Sequence, residues 1–318
     1  MSVPPAIAVS SLRKHFGAVR AVDGLSFEVY AGEIFGLVGP DGAGKTTTMR
    51  MLAGVLSADS GSAQVAGCDV VRDPERAKFQ LSYMSQRFGL YEDLTVEENL
   101  QFYADLFGVV RKKHQRRAKE LLAAAGLSDF RNRLAGNLSG GMKQKLGLVC
   151  ALIHTPKVLL LDEPTNGVDP VSRRDFWRIL YSLLAEGVAI LTSTSYLDEA
   201  ERCHRVGLLH QGRMLFCDRP EELKKKFPGE ILAVHAAQPA QVRSALANAP
   251  GVRSALLVGD RVHLFVDEAA RRLPDLRARL ESAGIVYDSI QPVAPTIEDL
   301  FVSAVESEPE VARKTKPS

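Results

Sequence analysis

The segment GPDGAGKT, residues 39–46, fits the pattern G-x-x-x-x-G-K-[ST], in which glycines, a lysine and a hydroxyl residue surround a phosphate group. The apolar segment EIFGLV precedes it and the helix-like segment TTTMRMLAGVL follows it, which is the strand–turn–helix order that such a loop requires. Glycines let the backbone curl until its N–H groups face one anion, and the helix start adds positive potential there. An ordinary glycine turn is the alternative, but the context favours a phosphate-binding loop.

The residues of this loop have separate predicted roles. The Lys45 side chain is expected to reach the β- and γ-phosphates of a nucleotide, and the Thr46 hydroxyl is expected to ligate Mg²⁺. The predicted nucleotide-binding residues of the loop are Gly39, Pro40, Asp41, Gly42, Ala43, Gly44, Lys45, Thr46 and Thr47.

Two adjacent acids end the apolar segment KVLLLDEP, which is typical of a buried parallel strand. Asp162 stands where a carboxylate can complete the ligand shell of Mg²⁺. Glu163 follows it, and a carboxylate there can orient and polarise a water molecule for attack on the γ-phosphate. Such a pair can simply cap a strand, but beside a phosphate loop it predicts hydrolysis.

A second glycine turn opens a helix at NLSGGMKQKLGLVCALIH. Ser139 suits the N-cap position, and Gly140 and Gly141 expose backbone N–H groups at the helix start. This segment is therefore a second candidate anion-binding helix N-terminus in the same chain.

The run LSGGMKQKL resembles the signature motif of ATP-binding-cassette (ABC) ATPases, with Met142 in place of the common glutamine. The other motifs follow in family order: the phosphate loop, Gln86, LLLDEP, and NGVD at 166–169. Phe16 matches the aromatic residue that stacks on adenine, and the resemblance covers about residues 6–220. The matching signature residues, which act on the ATP of a partner chain, are Leu138, Ser139, Gly140, Gly141 and Met142.

The resemblance implies ATP and Mg²⁺ as cofactors, with Thr46, Gln86 and Asp162 around the metal. It also implies a second ATPase chain, because ATP in this family lies between the phosphate loop of one copy and the signature of the other. Asp169 would then lie at the dimer interface. The segment GLVGPDGAGKTT and the ending PTIEDLF resemble ABC-2-type exporters, including drug-efflux ones. An integral-membrane permease is the expected partner.

Residues 192–201, TSTSYLDEAE, depart from the family pattern. The usual family sequence here resembles T-T-H-Y-L-E-E-A, and its histidine contacts the γ-phosphate. In this chain Ser195 stands at the position of that histidine. A serine hydroxyl still donates a hydrogen bond to phosphate, but it cannot become cationic. We assign Glu163 and Ser195 as catalytic residues. Ser195 is either a tolerated variant or the mark of a slow site.

The pattern of elements predicts an α/β P-loop cassette over residues 6–222, with a mainly parallel core sheet, an antiparallel β subdomain and a helical subdomain at about 87–140. A linker is expected at 223–229. Residues 230–305 have a βαββαβ order that predicts a small ferredoxin-like α+β domain, with a hairpin turning at Gly259-Asp260. The tail, 306–318, is expected to be disordered.

Composition limits the function classes. The net charge of +2 over 318 residues is too small to imply a nucleic-acid partner by itself, and we expect none. The chain has no apolar run long enough to span a bilayer, and its start lacks the features of a signal peptide. We therefore expect a peripheral protein at the cytoplasmic face of the membrane, held there by the permease. The alternatives are a soluble ABC ATPase with a non-transport partner, or an ATP-dependent clamp with slow hydrolysis.

Overall fold

The computed structural model describes residues 3–86 and 89–307. It divides into two compact units, with the boundary between Cys217 and Asp218. The strands are β1 (Ile7–Phe16), β2 (Val19–Val29), β3 (Ile34–Val38), β4 (Ser60–Val65), β5 (Cys68–Asp69), β6 (Leu81–Met84), β7 (Val158–Asp162), β8 (Ala189–Thr194), β9 (Arg205–His210), β10 (Arg213–Asp218), β11 (Glu230–His235), β12 (Val252–Val258), β13 (Arg261–Val266) and β14 (Ser289–Val293).

The α-helices alternate with these strands along the chain. They are α1 (Lys45–Leu52), α2 (Pro74–Gln80), α3 (Val96–Leu106), α4 (Arg111–Ala125), α5 (Gly140–Leu152), α6 (Pro170–Leu184), α7 (Leu197–Ala200), α8 (Pro220–Lys224), α9 (Pro239–Leu246), α10 (Ala269–Ser282) and α11 (Ile297–Ser307). Two short 3₁₀ helices span Ser128–Phe130 and Ala135–Asn137.

The central sheet of the first unit has the strand order β10-β9-β3-β8-β7-β6. Strand β3 pairs in parallel with β8 and β9, and β7 pairs in parallel with β6 and β8. Every residue of β3, β7 and β8 is buried. The apolar sequences of β3 and β7 therefore reflect burial on both faces, as expected for interior parallel strands, whereas β8 ends in three buried hydroxyl residues.

A second sheet of the first unit has the order β2-β1-β4-β5, and β1 pairs antiparallel with both β2 and β4. One hydrophobic core joins this sheet, helix α1 and the central sheet, and it includes Ile7, Met49 and Leu160. Helices α3 and α4 both pack on α5 and form the helical part of the cassette. A capping box at Thr95 and Glu98 fixes the start of α3.

The second unit has the predicted βαββαβ order, followed by α11. Its antiparallel sheet has the order β12-β13-β11-β14, and the β12–β13 hairpin turns at Gly259, where φ is 60°. Helices α9 and α10 cover one face of the sheet through a core that includes Leu246, Leu264 and Leu276. The α/β class with an added α+β domain is thus confirmed.

The structure differs from the sequence-based boundaries in three places. The cassette is expected to end at residue 222, whereas the first unit ends at Cys217. Residues 223–229 were expected to be a linker, yet Leu223 is fully buried at the end of α8 and the Phe227 ring packs edge-on against Phe265, 5.0 Å between centroids. The one-turn spacing of the two apolar residues explains why the segment folds onto its unit. Helix α11 continues to Ser307, two residues into the expected tail, and residues 308–318 lie outside the described part.

Candidate functional site

The loop between β3 and α1 forms a tight turn around the start of the helix. Gly44 has a φ of 101°, and a Cβ there would collide with the carbonyl oxygen of Ala21. Only glycine meets both conditions without strain. Pro40, Asp41 and Gly42 lie exposed at the tip of the loop, so an anion can approach its N–H groups.

The Lys45 side chain connects this loop to the acids at the end of β7. Its ammonium group donates to the carbonyl oxygens of Gly39 at 2.8 Å and Pro40 at 3.1 Å. It also lies 3.2 Å from the Glu163 Oε1 atom, and both side chains are almost fully buried. The cation of the phosphate loop and the candidate hydrolytic carboxylate are therefore in direct contact.

Asp162 is the last residue of β7 and accepts hydrogen bonds from three hydroxyl groups. Thr46 Oγ1 donates to Oδ1 at 3.0 Å and Ser193 Oγ donates to the same oxygen at 2.6 Å. The Tyr83 hydroxyl donates to Oδ2 at 3.2 Å. Burial and the neighbouring Asp162 carboxylate raise the pKa of Tyr83 to about 12, so this hydroxyl keeps its proton at neutral pH. Three donors thus compensate the burial of one carboxylate.

The pair Thr46 and Asp162 fits a magnesium ion. A hydroxyl oxygen and a carboxylate oxygen 3.0 Å apart are the hard ligands that Mg²⁺ prefers. Within residues 3–86 and 89–307, no cluster of three or more His, Cys, Asp or Glu side chains is arranged to hold a metal.

Glu163 adopts a left-handed backbone conformation, with φ at 50°. Its carboxylate is almost buried and accepts hydrogen bonds at Oε2 from Gln86 at 3.2 Å and from Asn166 at 3.3 Å. With Lys45 on the other oxygen, three side chains fix the direction of this carboxylate. Gln86, predicted from sequence to lie near the metal and water region, contacts Glu163 directly.

The signature segment lies at the start of α5. Ser139 caps the helix by accepting from the Met142 N–H at 3.3 Å, as its sequence position predicted. Ser139 and Gly140 are exposed, Leu138 is buried and Met142 is half-buried. The first residues of this helix start, Ser139 and Gly140, are therefore accessible from solvent.

Asp169, which the family resemblance places at the dimer interface, caps helix α6. Its Oδ1 atom accepts from the backbone N–H groups of Ser172 at 2.9 Å and Val171 at 3.1 Å. The bonds from Ser172 and Val171 hold the pKa of the Asp169 carboxyl below its usual value. A Cβ at Gly141 would lie only 2.5 Å from the Ser172 Cβ, so the starts of α5 and α6 are packed together.

Phe16 and Ser195 occupy the two remaining predicted positions. Phe16 ends β1 with about half of its surface exposed (51%), and the Lys14 ammonium lies 5.6 Å from its ring centroid. Ser195 directly follows β8 and is half-buried. The next residue, Tyr196, donates through its hydroxyl to Asn166 Oδ1 at 3.2 Å. The segment of Ser195 is thereby linked to a partner of Glu163.

Sequence reasoning assigned no role to Ser193, Tyr83 or Asn166, although all three contact the two acids or their neighbours. The row of hydroxyl residues at 192–195 was the available signal for Ser193. Asn166 falls within the NGVD motif. Tyr83 carried no signal, because a tyrosine in a strand is usually explained by packing.

A phosphate loop after a buried strand, with an Asp–Glu pair at the end of a parallel strand of the same sheet, defines the P-loop class of nucleotide-binding proteins. The family model described as "ABC transporter" matches residues 22–166. Daunorubicin resistance ATP-binding protein DrrA2 of Streptomyces coeruleorubidus is 35% identical over 302 residues, which cover 93% of this chain and 94% of that protein. This chain belongs to the ABC transporter family.

Other relatives agree with this assignment. The probable multidrug ABC transporter ATP-binding protein YbhF of Escherichia coli strain K12 is 44% identical over 93% of this chain, which spans about half (51%) of that relative's length. A solved structure of an ATP-binding subunit of an ABC transporter matches 70% of this chain and 93% of its own, with a TM-score of 0.65 and 31% identity. The ABC family and the cassette fold inferred from the sequence are thus confirmed.

Proposed function

We propose that this chain binds and hydrolyses ATP and that closure of two such ATPase chains around ATP drives an ABC-2-type membrane permease. The observation that carries the proposal is the buried cluster of Lys45, Thr46, Asp162 and Glu163, which joins the phosphate loop to two carboxylates. Within residues 3–86 and 89–307 no helix has the length and apolar composition to cross a bilayer. Association with a membrane at its cytoplasmic face would therefore come through the permease.

The cluster supports hydrolysis in the following way. Phosphate oxygens of ATP compete with Glu163 for the Lys45 ammonium, which lies at the loop carbonyls. Release from Lys45 leaves Glu163 held by Gln86 and Asn166, so its carboxylate can accept the proton of an attacking water. Magnesium, held by Thr46 and Asp162 together with the phosphates, supplies charge neutralisation when bound.

The proposal of two ATPase chains rests on the nucleotide site, which one chain alone leaves incomplete. The chain holds one phosphate loop and one signature, and both open on exposed turns at Asp41 and Gly140. A second ATPase chain, identical or related, would complete each site, with Asp169 at the interface. ATP contacts made only in the closed pair would shift the population towards closure.

The names of relatives support an exporter of small molecules. They include a probable multidrug transporter protein, a daunorubicin resistance protein, and a Nod factor export protein of Burkholderia thailandensis that is 38% identical over 90% of this chain. We propose a drug-like or other small substrate for the assembled transporter. A permease recovered with the tagged protein from native membranes would support this, whereas recovery of ribosomes alone would favour a soluble ABC ATPase.

Two variants test the ATPase cluster. Lys45→Ala should abolish ATP binding, because it removes the one cationic side chain of loop residues 39–46, while the exposed Lys78→Ala should bind normally. Glu163→Gln should bind ATP, lose hydrolysis and accumulate as a dimer, seen as a doubled mass by light scattering. Undiminished binding by Lys45→Ala would disprove the phosphate-loop assignment. A monomeric ATP complex of Glu163→Gln would disprove the paired arrangement.

A further inference from the structure

Ser193 occupies a special position between the two acids of the site. Strands β7 and β8 pair in parallel, and their register places Ser193 opposite Asp162. Ser193 is fully buried, with no exposed surface. A buried hydroxyl at this point must find hydrogen-bond partners within the site.

The Ser193 hydroxyl uses both of its hydrogen-bonding capacities. It donates its proton to Asp162 Oδ1 at 2.6 Å and accepts from the backbone N–H of Glu163 at 3.0 Å. The first bond is short, as expected for a hydroxyl on an ionised carboxylate. One oxygen atom therefore connects the side chain of the predicted metal ligand to the backbone of the predicted general base.

The bond to Glu163 matters because of the backbone conformation there. A φ of 50° is unfavourable for a residue with a side chain and persists where the surroundings hold it. The Glu163 N–H is directed at Ser193, at 3.1 Å from its carbonyl oxygen and 3.0 Å from its hydroxyl. This left-handed turn is what places the Glu163 carboxylate against Lys45 and Gln86.

We propose that Ser193 is a positioning residue for ATP hydrolysis, which holds Asp162 and Glu163 in a fixed mutual arrangement without touching the nucleotide. The inference rests on the proposed ATPase function of the same site. It assigns a role to one hydroxyl of the row at 192–195 that is separate from any contact of Ser195 with phosphate.

The neighbouring Thr192 provides a matched control. It is also buried in β8, with 1% of its surface exposed, but its hydroxyl has no hydrogen-bond partner among the described residues. Thr192→Val removes a buried hydroxyl at nearly constant volume. Ser193→Ala removes a buried hydroxyl that makes two hydrogen bonds. The two variants thus separate loss of a buried hydroxyl from loss of positioning.

The experiment compares wild type, Ser193→Ala, Ser193→Thr and Thr192→Val in the full-length chain. Each is measured for melting temperature, Mg·ATP affinity, kcat, and the Mg²⁺ concentration that gives half-maximal rate. We expect Ser193→Ala to remain folded and to bind ATP, because the backbone bond from Glu163 and the hydroxyls of Thr46 and Tyr83 remain. Its kcat should fall about 10- to 100-fold, the usual effect of losing a hydrogen bond to a charged group.

The same variant should need more Mg²⁺, since Asp162 loses its shortest hydrogen bond. Ser193→Thr keeps the hydroxyl and should recover most of the rate, and Thr192→Val should match wild type. An inactive wild type would refute the proposed ATPase function and, with it, the inference that rests on that function. If wild type is active and Ser193→Ala has the same kcat and Mg²⁺ requirement, the positioning role is wrong. The positioning role is equally wrong if Thr192→Val lowers kcat as much as Ser193→Ala does.

Discussion

The contact between the signature helix and helix α6 predicts different effects for two adjacent glycines. Gly140 has open space where a Cβ would project, with nothing within 4 Å. A Cβ at Gly141 would lie 2.5 Å from the Ser172 Cβ and 3.2 Å from Asp169 Oδ2, and it would overlap the Ser172 hydroxyl. Alanine should therefore be tolerated at the first position and not at the second.

The size of the effect follows from these distances. Carbon atoms pack best at about 3.5–4.0 Å, so Gly141→Ala requires the two helix starts to separate by about 1 Å. An overlap of about 1 Å belongs in the upper part of the range for overpacking, about 2–3 kcal/mol, and the better helix propensity of alanine returns at most about 1 kcal/mol. A net loss of about 1–2 kcal/mol lowers the melting temperature of a unit of this size by about 2–8 °C.

The assay is thermal unfolding of Gly141→Ala and Gly140→Ala, together with ATPase activity. Gly140→Ala should melt at or slightly above the wild-type temperature. Ser172→Gly removes both colliding atoms, so the double variant with Gly141→Ala should be more stable than the sum of the single effects predicts. Equal melting temperatures for the two alanine variants, or additive effects in the double variant, would refute the packing argument.

Two further predictions concern the edges of the site. The hydrogen bond from Lys14, with the bond from the His15 N–H, lowers the pKa of Asp59 from 3.8 to about 2. The ionised Asp59 carboxylate therefore contributes its full stabilisation of the fold above about pH 4, and this contribution is lost as pH falls towards 2. The difference in melting temperature between wild type and Asp59→Asn should accordingly shrink on acidification from pH 6 to 3. A constant difference would contradict this. For Ser195→His we expect kcat to stay within about tenfold of wild type, about 1.4 kcal/mol, and a larger gain would identify wild type as a slow site.

The parts of the site that are contiguous in sequence were predictable. The phosphate loop, the acid pair and the signature each depend on local spacing, and the flanking apolar and helical patterns identify the elements that carry them. The structure places Lys45 beside Glu163 and Thr46 beside Asp162, within hydrogen-bonding distance in both pairs. The βαββαβ order of the second unit was predictable for the same reason.

Contacts between distant segments were not predictable. The bond of Ser193 to Asp162 depends on the register of β7 and β8, and a shift of one residue would turn Ser193 away from the acid. No single-sequence pattern determines that register. The position of Phe227 against Phe265 is a similar case, because its charged neighbours resemble a linker until the partner strand is known.

The structure also bears on Ser195, which stands where the family pattern has a histidine. The Glu163 carboxylate is held by Lys45, Gln86 and Asn166, and none of these contacts depends on residue 195. The segment after β8 contacts one of these three residues, Asn166, through the Tyr196 hydroxyl, which donates a hydrogen bond to it. The serine therefore lacks the imidazole that the family resemblance implies as a donor to phosphate, but the contacts of the proposed general base Glu163 are in place, which favours a tolerated variant over a disabled site.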